Sequence, residues 1–314
     1  MANEIKFIEN APEAKAIILS SEFATYSMSD RYRELSQRTN IDFSAAIKLL
    51  DHLPVFIDGN NHQKIRKLMA KQVSRTKDVQ FAASIEALSM LSQKLLRAGS
   101  EVDLIAEFCQ PLWRSISSAI VPPNKDMLEL IDAVPTLFSP FLSIRERAKI
   151  NALIAAFLDA YCVYSDDDLI HVCLASLGAR PFVGSLGLSL WTVFQSNQGA
   201  KLSEISWPRM FPSSSLTYVD RIFARPERCS HTFEMGDRIR CFTQSKAYTV
   251  EENRSALFGF GAHTCLGKSI SEKVWVQVVA ELSRFHLRVD CRSIAMNPYT
   301  DPFQMPGTIT IRLT

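Results

Sequence analysis

The chain has 314 residues, 47% of them apolar or aromatic, so it can bury a large core, and residues 1–314 are expected to form a single domain. Its 33 acidic and 35 basic residues nearly cancel, which removes any global electrostatic case for binding nucleic acid. Seven cysteines without zinc-like or disulfide-like spacing, and no basic-then-apolar leader, fit a reducing cytoplasmic setting.

In chain order, residues 11–23 predict a short helix with Pro12 near its start, and residues 30–37 and 40–50 predict two more. Phe43, Ile47, Leu53, Val55 and Phe56 precede the next motif and are candidates for core packing or for lining a pocket. His62 and Arg66 lie one helical turn apart and face the same way, an arrangement suited to a carboxylate or to a solvated helix face. Lys64, Lys67, Lys71, Arg75 and Lys77 make this region strongly basic. Residues 79–97 read as a separate helix with a stripe of Phe81, Ile85, Leu88, Leu91 and Leu95. Residues 102–121 predict another helix, shifted or kinked by Pro111, and two short segments follow at 125–138 and 143–161.

Residues 166–194 predict a long apolar helix with three aspartates at its start. His171, Arg180 and Pro181 interrupt the run, and an arginine at mid-bilayer is costly, so a buried central helix is expected rather than a membrane span. Gly236 suits a turn into a strand, residues 268–284 a helix, and residues 285–289 and 308–313 strands.

The stretch Phe258-Gly259-Phe260-Gly261-Ala262-His263-Thr264-Cys265-Leu266-Gly267 places one cysteine in a glycine-rich turn at the mouth of a helix. Free N–H groups and the dipole at a helix start favour a thiolate. Every fixed position of F-G-x-G-x-H-x-C-x-G is filled, and in this the chain resembles the cytochrome P450 family. The resemblance implies a mainly α fold with a small β lobe, shortened relative to typical members. It also implies haem b, with Cys265 as the axial thiolate and iron ligand, Phe258 shielding the sulfur, Gly259, Gly261 and Gly267 allowing close approach to the porphyrin, and His263 at a propionate. His62 and Arg66 resemble the family's H-x-x-x-R motif, and Arg221, in Val219-Asp220-Arg221-Ile222, resembles the arginine of a second propionate contact. The basic stripe after His62 then suits either an acidic ferredoxin or flavodoxin or plain solvent.

Two departures stand out. Oxygen-activating relatives carry an acid and a threonine at the centre of the distal helix, whereas Gly178 here aligns Arg180 and Pro181 with those positions. An Arg-Pro pair resembles the fatty-acid peroxygenase branch, in which the arginine holds the substrate carboxylate, the carboxylate serves as acid–base group, and hydrogen peroxide supplies oxygen. Arg180 could equally pair with a protein acid, or with a carbonyl released by the missing N–H of Pro181. The second departure is Ser206-Trp207-Pro208-Arg209-Met210-Phe211-Pro212, which keeps the R-x-x-P of a core ion-pair motif but has Ser206 in place of its glutamate. Met296 and Phe303 fall where relatives have a pocket-lining turn.

The expected activity is haem-thiolate oxidation of a small anionic or carboxylate-bearing molecule, with Arg180 and Pro181 as catalytic-site residues and no membrane or nucleic-acid partner. The alternatives are a rearrangement, dehydration or bond-forming reaction, and a non-catalytic partner of a biosynthetic enzyme.

Overall fold

The computed structural model describes residues 5–97, 101–121, 125–163, 165–225, 233–245, 248–297 and 302–314. The chain opens with β1 (Ile5–Ile8), α1 (Ala11–Leu19), β2 (Phe23–Thr25), α2 (Met28–Thr39) and α3 (Ser44–Leu50). Next come the long α4 (Gly59–Arg97), β3 (Glu101–Asp103), α5 (Gln110–Ser118), α6 (Lys125–Ala133), α7 (Ile144–Ala160) and α8 (Asp166–Ser196). The last third holds β4 (Tyr218–Phe223), β5 (Arg238–Phe242), α9 (Val250–Ser255), α10 (Lys268–Leu282), β6 (Val289–Met296) and β7 (Pro306–Leu313). One sheet has the order β1-β5-β4-β2, with β1 parallel to β5 and the other pairs antiparallel. A second, fully antiparallel sheet has the order β3-β7-β6. The main core lies between the helices, and a smaller cluster of Ala14, Ile17, Phe223, Ile239 and Cys241 seats α1 on the first sheet.

α8 runs through the middle. Ser165 and Asp168 form a reciprocal capping box at its start, and buried residues then recur around its whole circumference. By length and composition α8 could cross a membrane, yet 61% of its most apolar window is buried by the rest of the chain, as expected of a core helix. Its glycines serve close packing. A Cβ on Gly178 would sit 2.0 Å from Cη2 of Trp113, one on Gly184 2.8 Å from Cβ of Ser215, and one on Gly187 2.6 Å from Cδ1 of Ile105.

Several sequence expectations change. The helical turn read at His62 and Arg66 and the helix read at residues 79–97 are one continuous α4. Its buried face carries Gln80, Ser84, Ala87, Leu88 and Ser92, while Ile85 is 45% exposed. Polar residues can occupy that face because Ser84 and Ser92 donate to the carbonyls of Phe81 and Leu88, and Ser92 also reaches Glu281 of α10 at 2.8 Å. The helix predicted over 102–121 is split into β3, a π-helical turn Ile105–Cys109 and α5, with Pro111 in the first turn of α5 where its missing N–H costs nothing. The segment 125–138 divides into α6 and a 3-10 turn Val134–Phe138. The final strand pair starts at Val289, because residues before it bond across to another segment: Ser203 N–H donates to the Phe285 carbonyl and Leu202 N–H to that of Leu287.

Residues 206–212 form no helix. Arg209 is exposed, so the replacement of glutamate by Ser206 strands no buried charge. Trp275 fills the space, accepting Phe211 at 5.0 Å between ring centroids and donating its indole N–H to the Pro208 carbonyl at 2.9 Å.

Candidate active site

The cysteine loop is shaped by Gly259 (φ +73°) and Gly261 (φ +58°), both in the left-handed region that favours glycine. The Cys265 N–H donates to the Phe258 carbonyl at 2.8 Å, closing the loop before Gly267 caps α10. Cys265 keeps an exposed side. Desolvation by the protein on its other side raises the thiol pKa, while the Gly267 and Lys268 N–H groups and the positive charge of Arg66 pull the other way. A soft sulfur met by backbone donors and a cation, with one open side, is equipped to ligate a metal as the thiolate. Phe258 packs half-buried on the core beside it, with Lys268 Nζ 5.8 Å from the ring centroid.

α4 presses against this loop. Arg66 donates to the Thr264 carbonyl, and one turn earlier His62 is buried with its ring 4.4 Å from that of His263. His263 Nε2 lies 3.2 Å from Oδ1 of Asp58, the residue just ahead of α4. Asp58 also accepts from the N–H and, at 2.8 Å, the hydroxyl of Thr25. The β2–β4 register sets Thr25 opposite Arg221, which is buried and donates to the Asp220 carbonyl at 3.2 Å. Strand pairing, a helix start and the cysteine loop thereby gather Asp58, Arg66, Arg221 and His263 around His62.

The cluster is short of anions. Burial, then His263 and Arg66, lower the His62 pKa despite the opposing pull of Asp58. Burial would raise the Asp58 carboxyl, but the hydrogen bonds from His263 and Thr25 outweigh it and hold the group well below the usual carboxylate range. Nε2 of His62 is buried with no hydrogen-bond partner among the described residues. An orphaned buried nitrogen within a set of cationic donors is a place prepared for added acceptors. The two propionates of haem b have that chemistry, and Cys265 offers a thiolate ligand, so the residues present fit the group.

Arg180 and Pro181 lie mid-way along α8. Pro181 breaks no turn: its carbonyl accepts from Ser215 Oγ at 3.1 Å, holding α8 to the loop before β4. Arg180 is half-buried and shares a helix face with Cys173, two turns earlier, whose thiol faces the Leu49 carbonyl of α3. A cavity opens nearby between β4, β5, the start of α2 and the turns at Val55–Phe56 and Phe138–Pro140, and neither Arg180 nor Pro181 walls it. Of the candidate lining residues, Val55, Phe56 and Phe303 border it, whereas Phe43 and Leu53 are core and Met296 is 42% exposed.

Sequence reasoning missed Asp58 and the cavity's Arg238 and Arg240. Arg238-Ile239-Arg240 carries the strand signal for the latter pair, since alternation puts both arginines on the face opposite buried Ile239. The stripe of Lys64, Lys67, Lys71, Arg75 and Lys77 is exposed, with Lys64 paired to Asp166 at 2.7 Å.

A helical body threaded by one long central helix, two small sheets and a cysteine loop leading into α10 make up the cytochrome P450 fold. The chain is similar in structure to P450BioI, solved in complex with an acyl carrier protein ligated to hexadec-9Z-enoic acid, at a TM-score of 0.77 and 14% identity over 98% of this chain and 91% of that one. It is similar to CalO2 at 0.73 and 16% over 100% and 91%, and to the cytochrome P450 PksS of the Bacillus subtilis 168 bacillaene polyketide synthase at 0.71 and 15% over 98% and 90%. No protein-family model and no curated protein matches the sequence.

Proposed function

We propose that the chain is a haem-thiolate oxidoreductase that takes haem b against Cys265 and oxidises a small anionic molecule. The observation that carries this is Nε2 of His62, without a hydrogen-bond partner among the described residues and buried among Arg66, Arg221 and His263 beside the cysteine loop. Bound there, the haem supplies thiolate-supported oxidative chemistry. His62, Arg66, Arg221 and His263 hold its carboxylates, Gly267 and Lys268 N–H groups temper the sulfur, and Phe258 keeps water from it.

At the centre of α8, the Arg180 guanidinium offers donors but no acceptor, and Pro181 has neither a hydroxyl nor an N–H. The pair therefore cannot hand protons inward as an acid and an alcohol would. This favours hydrogen peroxide, which brings its own protons and electrons, as oxidant over dioxygen with a ferredoxin or flavodoxin. The exposed lysines of α4 keep the second route open as the competing arm of the test.

The test is haem reconstitution followed by reduction under carbon monoxide. Expected are the red-shifted Soret band of a thiolate-ligated haem and its loss in Cys265→Ser. Turnover with peroxide alone, but not with NADPH and a ferredoxin system, would support the oxidant. Failure to take up haem would overturn the proposal in favour of a non-catalytic partner protein, which the exposed Arg209 in place of a buried ion pair would suit.

A further inference from the structure

The cavity beside β4 and β5 is apolar at one end and cationic at the other. Val55, Phe56, Phe138, Leu216 and Phe303 make the apolar end, with the rings of Phe56 and Phe138 4.8 Å apart, edge to face. The other end holds Arg31, Arg238 and Arg240 with Asp220 as the acid among its lining residues. Arg221 also borders the cavity, but alternation along β4 places its side chain opposite that of Asp220, on the side of Thr25 and Asp58. Alternation thus sets the cavity's Arg238 and Arg240 on the sheet face opposite Arg221, while Thr25 and Arg221 make the cavity adjoin the His62 cluster.

Asp220 accepts from Nε and Nη2 of both Arg238 and Arg240. Each guanidinium spends two of its five N–H donors this way. Both are held flat: Arg238 lies 4.0 Å above the Tyr26 ring and Arg240 3.7 Å above that of Tyr218. Arg31, one turn into α2, has no hydrogen bond or ion pair for its side chain among the described residues. Asp220 is shared by Arg238 and Arg240, and Arg31 adds a third guanidinium to the lining. With Arg221 turned to the other face, the wall keeps two positive charges in excess with donors to spare.

We propose that this cavity is an anion subsite for an amphiphilic carboxylate, whose head is held by Arg31, Arg238 and Arg240 and whose apolar body lies against Phe56, Phe138 and Phe303. It deepens the proposed function by naming the substrate class and moves the anion-holding role from Arg180 to the sheet. A planar carboxylate suits guanidinium groups pinned by an aspartate and two tyrosines, because their geometry is set before the ligand arrives.

The probe is dodecanoate, titrated calorimetrically into the full chain below its micelle concentration, with dodecanol as the uncharged control and haem content recorded separately. Expected is binding of the acid at least about tenfold tighter than of the alcohol, and about tenfold weaker binding of the acid by Arg31→Leu, the order of one charge-assisted hydrogen bond. Asp220→Asn keeps one acceptor oxygen to position Arg238 and Arg240, with Tyr26 and Tyr218 still beneath them, and removes the competing negative charge. It should therefore bind dodecanoate more tightly, a gain that misfolding cannot mimic. Equal affinity for acid and alcohol, or unchanged or weaker binding in Asp220→Asn, would overturn the subsite. Loss of dodecanoate binding once haem saturates the protein would also overturn it, by giving these arginines to the propionates. Failure of the haem proposal alone would show in the spectrum and leave dodecanoate binding in place.

Discussion

The rings of His62 on α4 and His263 in the cysteine loop lie 4.4 Å apart at an interplanar angle of 35°, and Nε2 of His62 has no hydrogen-bond partner among the described residues. Burial, and then the neighbouring His263 and Arg66, disfavour the charged form of His62. His62→Phe therefore removes an unsatisfied buried nitrogen while keeping a ring in the space. The haem-free protein should lose no stability and gain up to about 1–3 kcal/mol in urea denaturation. Haem affinity of the same variant should fall about tenfold or more, since a propionate loses one donor. A variant that is both destabilised and unchanged in haem affinity would make His62 a packing residue only.

The haem-free protein should lose stability as the medium is acidified. The folded-state pKa of His62 is depressed, by burial first and then by His263 and Arg66. Above the unfolded value of about 6.5 neither state binds the proton. Below it the unfolded chain takes up the proton first, so stability falls as pH drops toward the folded pKa. Asp58 acts with the same sign at lower pH: its carboxyl is held down by His263 and Thr25, and that stability is present above about 4 and lost beneath it. Urea midpoints measured from pH 8 to 5 should fall, and His62→Phe should flatten the upper part of the curve. Midpoints that rise between pH 8 and 5 would contradict the His62 assignment, and midpoints that rise on further acidification from pH 4 to 3 that of Asp58.

Gly178→Ala should be severe for a change of one methyl group. The added carbon would lie 2.0 Å from Cη2 and 2.4 Å from Cζ2 of Trp113, whose ring also stacks 5.3 Å from that of Phe182. Overpacking of this kind costs about 1–3 kcal/mol or more. Trp113→Leu in the same chain should recover part of the loss, and a double variant no better than Gly178→Ala would show that Trp113 is not the obstacle.

Arg209→Gln should change stability by less than about 0.5 kcal/mol in thermal denaturation, because the side chain is exposed. The contrast with the motif it resembles shows where the sequence was legible. The Cys265 loop could be read because its chemistry is local: glycines, a sulfur and a helix start at fixed spacing. The helix spacing of His62 and Arg66 could be read for the same reason. The ion pair of the Arg209 segment depends on a tertiary partner, and a single Ser206 gives no sign that Trp207, Phe211 and Trp275 fill the space instead. The join of two predicted helices into α4 was hidden likewise, since its buried serines satisfy themselves on their own helix and lie off the apolar stripe read over 79–97. Asp58 had no motif of its own and acquires its role from a strand and a loop far along the chain.

Arg147 is the other tertiary residue that no periodicity reveals. It is 2% exposed, and its guanidinium donates to the carbonyls of Leu142, Leu137 and Ser139 at 3.0, 3.1 and 2.6 Å and to the Tyr32 hydroxyl at 2.6 Å. These acceptors flank Phe138 and Pro140, both of which wall the cavity. Arg147→Met keeps much of the apolar stem but leaves several buried oxygens without donors, at about 1–3 kcal/mol each, so a loss of at least about 3 kcal/mol is expected in urea denaturation. Tyr32→Phe removes one hydroxyl from the same set and should cost about 1 kcal/mol. Because the wall loosens, dodecanoate affinity should fall in Arg147→Met although none of the cavity's arginines is touched. Protease cleavage between residues 137 and 142, faster in Arg147→Met than in Tyr32→Phe, would locate the loosening there; uniform cleavage along the chain would assign Arg147 to global stability instead.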